Sequence, residues 1–521
     1  MLLSAIIFLP LFFAFFVSFV VPRPRVMLVA LIFSLAEFVL SLFLLARFDI
    51  KTANLQFVEK VPWISKYGIN YFVGIDGISL WLVLLTTFIL PVIILGCWRS
   101  IEEKVGGFLS CLFVLQTSML GTFLAMDVIL FYVFWELSLV PMYFIIGIWG
   151  GPRRIYATIK FFIFTMVGSV LMLVAILYMM QMTSSPPGGI SASLLDFYKL
   201  EIPFVGGDFF SPQTLLFFAF ALAFAIKVPA FPLHTWLPDA HVEAPTSGSV
   251  ILASVMLKMG TYGLLRFAIP LFPEAVQYWG WLFLFIGVAG VIYGALVAMV
   301  QTDIKKLVAY SSVSHMGYVL LGLFVVNVAG VSGSLYQMLN HGISTGALFL
   351  LVGMIYERTH SREISKYGGL AAVLPKFSVF FFVITLSSIA VPLTNGFVGE
   401  FLILMGTFQA HRGFAIAAVV GVVLGAAYML WMYKRVFFGE RGEVVNDKLE
   451  DLNTREIALL LPLVVLVFWM GLFPGHFLNF SETSINHFVT NASNYNLGVS
   501  GEELQEAAVA ASELGHVGEE K

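Results

Sequence analysis

The sequence predicts an all-α integral membrane protein of about fourteen transmembrane helices, with two inverted five-helix repeats that each contain a discontinuous helix. Three observations predict it. Of the 521 residues, 60% are hydrophobic and 11% charged, whereas a soluble domain carries about 25% charged residues and can cover itself with a polar surface. The mean hydropathy is +0.94. Apolar runs close to the ~20 residues needed to cross the hydrocarbon core recur along the whole chain. Two of them are interrupted by proline and polar residues in a way that ordinary spans are not.

The first run, 2–21, starts at Met1 with no basic region before it, and Arg23 and Arg25 follow it. It reads as a retained span, not a signal peptide. Runs at 26–46, 77–98, 108–126, 128–149 and 155–181 come next, with a polar stretch at 47–76. A second polar stretch, 182–211, contains Ser184-Ser185-Pro186-Pro187-Gly188-Gly189. The remaining runs are 212–229, 247–269, 275–300, 307–326, 332–356, 376–409, 415–438 and 456–475, with polar residues at 439–455 and an acidic polar tail over 480–521. Most connections are short, so residues 1–521 read as one membrane domain.

Orientation follows the basic residues. With the N-terminus outside, seventeen Lys and Arg fall in inner loops and eight outside, which places both termini on the positive, periplasmic side. The net charge of −3 argues against nucleic acid as a partner. Cys97 and Cys111 lack CxxC spacing and offer no iron–sulfur or zinc set.

The interrupted runs are Lys227-Val228-Pro229-Ala230-Phe231-Pro232, followed by a polar run to Pro245, and Val391-Pro392-Leu393-Thr394-Asn395-Gly396. Broken helices at corresponding places in two halves point to an inverted-repeat transporter. Each takes fourth place in a five-helix unit, over 108–269 and 275–438.

Charges inside the apolar runs carry the chemistry. One charge at a span centre costs ~2.5–3.5 kcal/mol on insertion scales, so several apolar residues must offset it. Glu136 lies mid-span, Lys227 at the first break, Lys258 within 251–262, and Glu400 just past the second break; His315 and His341 sit among small residues. A static Glu136–Lys227 pair with packing histidines would be the structural alternative. Two acids, two lysines and two histidines on separate spans exceed what bundle packing requires. Lys, Glu and His can each hold and release a proton under suitable burial, so the set reads as a proton relay. At ~4 Å and an effective dielectric near ~20, a Glu136–Lys227 contact is worth ~4 kcal/mol. Asp303, Lys305 and Lys306 read as a solvated loop. His234, Asp239, His241 and Glu243 read as the polar wall of the first break, not as a metal site.

At these residues the chain resembles a known family. Phe134-Trp135-Glu136-Leu137-Ser138-Leu139-Val140-Pro141-Met142, Lys227-Val228-Pro229 through His241, Glu243-Ala244-Pro245-Thr246 and Gln301 through Ser312 are similar to motifs of the antiporter-like membrane subunits of respiratory complex I, the NADH–quinone oxidoreductase. Mrp-type Na⁺/H⁺ antiporter subunits are their relatives. The L- and N-type branches carry Lys in the second broken helix, whereas Glu400 matches the M-type branch. The resemblance implies a proton-translocating subunit of a bacterial inner-membrane enzyme, with Glu136 and Lys227 as coupling pair, Lys258, His315 and His341 as central relay and Glu400 as terminal site. It implies no cofactor on this chain, with flavin and iron–sulfur clusters on partner subunits, and other complex I membrane subunits as partners, especially two neighbouring antiporter-like ones. An Mrp-type antiporter or a membrane-bound hydrogenase-type complex would use the same residues. An inert scaffold would not need them.

Overall fold

The computed structural model describes residues 1–183 and 189–497; Ser184–Gly188 and the tail from 498 lie outside the described residues. Eleven helices among them are long and apolar enough to cross a membrane, and three shorter apolar helices accompany them. The chain is an integral, multi-pass membrane protein. α1 (Leu2–Phe19) and α2 (Val26–Arg47) flank Pro22 and Pro24, which end the first helix because proline lacks the donor that would continue it.

The stretch 47–76, expected only to be polar, contains a β-hairpin, β1 (Gln56–Ile64) paired antiparallel with β2 (Ile69–Ile75). Its turn needs Gly68: φ is +63°, and a Cβ there would collide with the Ile190 carbonyl. The hairpin seals the ends of helices. Phe72 accepts from the Met126 N–H at 2.8 Å, and the Asn70 N–H donates to Asp127 at 2.8 Å. On β1, Glu59 accepts from the amino terminus and from Ser4. Partial burial opposes its ionisation, but these bonds and the terminal charge outweigh that and hold the carboxyl below its ordinary range.

α3 (Leu80–Gly96) and α4 (Val105–Leu124) lead into α5 (Val128–Trp149), which Asp127 caps by accepting from the Ile129 and Leu130 N–H groups. α5 is irregular at Ser138, three residues before Pro141, where the proline leaves a carbonyl without its donor. α6 (Arg154–Met182) and α7 (Pro212–Lys227) follow. α7 stops at Lys227, and the polar run beyond it is itself largely helical, as α8 (Trp236–Glu243).

α9 (Thr246–Leu271) contains two π-helical segments, Leu252–Met256 and Leu264–Ala268, with Lys258 between them. Such segments mark places where a side chain is re-aimed, often at functional sites. Near its end Arg266 forks onto Asp76, with both contacts at 2.6 Å. α10 (Pro273–Met299), α11 (Ile304–Phe324) and α12 (Val328–Thr359) come next. α13 (Pro375–Ser388) and α14 (Asn395–Ala410) are the halves of the second interrupted run. Between them Ala390 and Leu393 adopt φ of 56° and 77°, a left-handed conformation that costs a non-glycine residue ~1–3 kcal/mol. α15 (Arg412–Phe437) and α16 (Thr454–Leu472) follow.

The tail expected from 480 needs correction: Gly475–Leu497 forms a helix, α17. Phe477, Ser481, Ile485 and Phe488 are buried at helical spacing, and Trp81 packs on Phe477. A reading of net charge passes over such a narrow stripe.

Burial separates core from periphery. The apolar windows of α9 and α12 are 100% buried, against 28% for α2 with its lead-in and for α15. Polar side chains within the windows of α9 and α12 therefore face other helices.

Candidate functional site

The site sits where α9, α11, α12 and α14 meet. Lys258, on the turn between the π segments, is fully buried; its Nζ donates to the Ala253 carbonyl and lies 2.7 Å from His341 Nδ1 on α12. The His341 ring stands 6.0 Å, centroid to centroid, from His315 on α11. His315 Nδ1 is 3.0 Å from Glu400 Oε1 on α14. Thus Lys258, His341, His315 and Glu400 form one line through the buried core. Four of the six residues singled out in the sequence meet there.

A polar lining supports the line. Gln337, one turn before His341, donates to Glu400 at 3.1 Å. Asn340 donates to Gln337 Oε1 at 3.0 Å and to the Asn395 carbonyl at 2.8 Å, tying α12 to the first residue of α14. Ser387 donates to Asn395 at 2.5 Å across the break. Between the two histidines lies a cavity of about 10 Å³ lined by His315, Gln337, Asn340, His341 and Ser388 among others, close to the minimum room for one water. His341 Nε2 has no protein partner among the described residues.

The other two residues stand apart from this line. Lys227 is 1% exposed at the end of α7; its Nζ donates to Ser138 Oγ at 3.0 Å and lies 5.1 Å from the Trp135 ring centroid. The expected contact near 4 Å with Glu136 is not formed: among the described residues no ion pair joins them within 4.0 Å. Glu136 lies within electrostatic range of Lys227. It is half-buried, between the exposed Val133 and Val140 on α5, and its Oε1 is itself buried with no hydrogen-bond partner among the described residues. The irregularity at Ser138 places a hydroxyl, not the acid, next to the lysine.

Lys305 is a second correction. It is buried, donating to the Ala244 carbonyl at 2.6 Å, beneath the junction of α8 and α9. Asp303 caps α11 through the Lys306 N–H and pairs with Arg362 at 3.4 Å. The turn that begins α11 is tucked under the first break, so the helix start carries Lys305 inward. On α8, His241 is fully buried and stacks on Phe349 at 4.5 Å, in electrostatic range of both Lys305 and Lys258. Asp239 pairs with Lys160 at 2.7 Å, and Glu243 with Arg153 at 3.5 Å. Sequence reasoning missed Gln337, Asn340, Ser138 and Lys305. The first two were findable, because 337, 340, 341 and 344 form a polar stripe at helical spacing in an otherwise apolar run.

A multi-pass bundle with a line of titratable groups across its buried core defines a membrane protein built for ion or proton passage. Comparison with known proteins agrees. Residues 125–425 match the family described as "NADH:quinone oxidoreductase/Mrp antiporter, TM". The NADH-quinone oxidoreductase subunit M of Rhodobacter capsulatus is 46% identical over 465 residues, covering 89% of this chain and 90% of that one. In the respiratory complex I of Thermus thermophilus with bound NADH, a chain 32% identical superposes with a TM-score of 0.84, covering 94% of this chain and 100% of that one. The Mrp complex of a Dietzia species contains a chain 20% identical with a TM-score of 0.80, covering 94% and 99%; this likeness concerns the fold alone. The chain belongs to the NADH:quinone oxidoreductase/Mrp antiporter transmembrane family.

Proposed function

We propose that this chain is the M-type, proton-translocating membrane subunit of an NADH–quinone oxidoreductase. The observation that carries the reading is the near-full-length similarity to a subunit M, with Glu400 in the second broken helix where Mrp-type relatives are expected to carry Lys. The three shorter apolar helices added to the eleven long ones support a count of fourteen spans. α4–α9 and α10–α15 then form two five-helix repeats over 108–269 and 275–438, each with its broken helix fourth. The basic-residue asymmetry favours both termini on the periplasmic side of a bacterial inner membrane.

In this reading the half-buried Glu136 responds to the charge state of a neighbouring antiporter-like subunit. Its approach to or retreat from Lys227 shifts that lysine between holding and releasing a proton. The proton then passes towards Lys258, His341, His315 and Glu400. Moving a proton against ~150–200 mV costs ~3.5–4.6 kcal/mol, the size of one close charge pair at an effective dielectric near ~20. Oxidation of NADH, with flavin and iron–sulfur clusters, and reduction of quinone belong to partner subunits.

Purification from native membranes tests this. The chain is expected with NADH-oxidising subunits, and quinone-dependent proton uptake by vesicles should collapse in Lys258→Ala. Recovery in an assembly without redox subunits that exchanges Na⁺ for H⁺ would establish the Mrp-type reading instead.

A further inference from the structure

A second group of unsatisfied polar atoms lies outside the line from Lys258 to Glu400. Glu37, in the middle of α2, is fully buried, and neither of its carboxylate oxygens has a hydrogen-bond partner among the described residues. The same holds for both amide atoms of Gln116 and for the hydroxyl of Thr117 on α4, each 0% exposed. An unmade buried hydrogen bond costs ~1–3 kcal/mol, more for a charged group, so five such atoms call for an explanation.

The packing puts these residues at one depth. Phe13 of α1 stacks on Phe33 of α2 at 4.2 Å and meets Phe113 of α4 at 5.7 Å. As the second and fourth successive spans, α2 and α4 run in the same direction. One turn beyond Phe33 is Glu37; three and four residues beyond Phe113 are Gln116 and Thr117. Along α2 the buried positions include Ser34, Glu37 and Ser41 at helical spacing. Ser41 bonds Thr87 of α3 at 2.7 Å, so that stripe faces inward. α3 in turn abuts the central line: Leu85 packs where a Cβ on Gly342, next to His341, would sit, and Ser254 of α9 donates to the Gly342 carbonyl at 2.8 Å.

We infer that Glu37, with Gln116 and Thr117, forms a second intramembrane proton-binding site, one helix removed from His341. An ionised carboxylate without a partner in this setting is heavily penalised. When a proton reaches it, the carboxylate oxygen forms an O–H bond and the charge is lost; release of the proton to a water or a neighbouring base reverses this. Gln116 and Thr117, at the same depth, carry an acceptor and donors that no protein group among the described residues takes up. A structural acid would instead be tied to neighbours, as Glu456 is to Arg358 at 2.7 Å.

The inference rests on the proton-translocation reading, and the test separates the two. The complete complex in vesicles is followed by redox-induced infrared difference spectroscopy and by protons moved per electron, for wild type, Glu37→Gln, Gln116→Leu and Lys258→Ala. A carboxyl C=O band should appear on turnover, vanish in Glu37→Gln and shift in Gln116→Leu; Glu37→Gln should also lower the proton ratio while electron transfer in uncoupled vesicles is unchanged. If Lys258→Ala stops pumping but Glu37→Gln leaves both spectrum and ratio as in wild type, Glu37 is a static neutral acid and this inference fails alone. If Lys258→Ala pumps normally, the proton bypasses α9 and the route on which this inference rests fails. A band that responds to sodium instead of pH makes the ligand Na⁺ and overturns the proton assignment.

Discussion

The two broken helices share a plan and differ in wiring. At the first, α7 ends on Lys227, held by one hydroxyl and one aromatic face, with the half-buried Glu136 in electrostatic range but not in ion-pair contact. At the second, α14 carries Glu400, bonded to His315 and Gln337 and so to the whole buried line. One break is a buried cation held by few contacts; the other is an acid built into a network. Under the proposed function the two breaks divide the labour: the first receives the signal and the second completes the transfer. Neither role requires the breaks to move.

The largest expected effect tests the line itself. Lys258→Ala removes the group that joins the two halves, and each lost buried hydrogen bond to a charged group is worth ~1.5–3 kcal/mol. Quinone-dependent proton uptake should fall about tenfold or more, with subunit levels on a native gel unchanged. Normal uptake would mean that the proton bypasses α9.

Lys227→Ala should follow closely in uptake and in coupled electron transfer. Because Glu136 acts on Lys227 across a gap, Glu136→Gln should do less harm than Lys227→Ala, and Glu136→Asp less still. Equal damage from Gln and Ala would show that the acid and the lysine do form a close pair during turnover, weakening the contrast between the breaks.

How much of this was legible follows from how each residue departs from its surroundings. Lys227, Lys258 and Glu400 stand out because a charge inside an apolar run is an anomaly, and both breaks because proline interrupts the run. Span positions were readable since bilayer thickness fixes helix length. Lys305 was hidden because a lysine near a span end usually snorkels to water, and only tertiary packing buries it under Ala244. The β-hairpin was hidden in a stretch read for polarity alone. Glu37 was as anomalous as Glu136 in its run, yet it lay outside the recognised motifs. The missing Glu136–Lys227 contact could not be read at all, since it depends on which way α5 turns at Ser138.

Glu400 sharpens the comparison at the second break. Gln337 offers both donor and acceptor atoms, so the site can hold a group of either sign, and under the proposed function a terminal site needs a group that titrates. Glu400→Lys should therefore retain substantial uptake, Glu400→Asp some, and Glu400→Gln or Glu400→Ala little. Wild-type uptake in an assembled Glu400→Gln complex would move the terminal site elsewhere.

The smallest effect belongs to Ser138→Ala, and it bears most directly on the first break. Ser138 gives Lys227 its hydrogen bond at 3.0 Å, while its own hydroxyl donates to the Trp135 carbonyl at 2.7 Å. Removing it leaves a buried amine with the Trp135 face, an interaction worth ~0.5–2 kcal/mol. The lost bond is worth ~1–3 kcal/mol, part of which relaxation of the long lysine side chain recovers, so uptake should fall by a few-fold at most, and Ser138→Thr should restore it. The decisive measurement is a double-mutant cycle. If Ser138 acts only through Lys227, then Ser138→Ala in a Lys227→Ala background changes nothing further, and the two losses are strongly non-additive. Additive losses would mean that Ser138 serves the bend in α5 and not the lysine, and Lys227 would then need another partner to hold it in place.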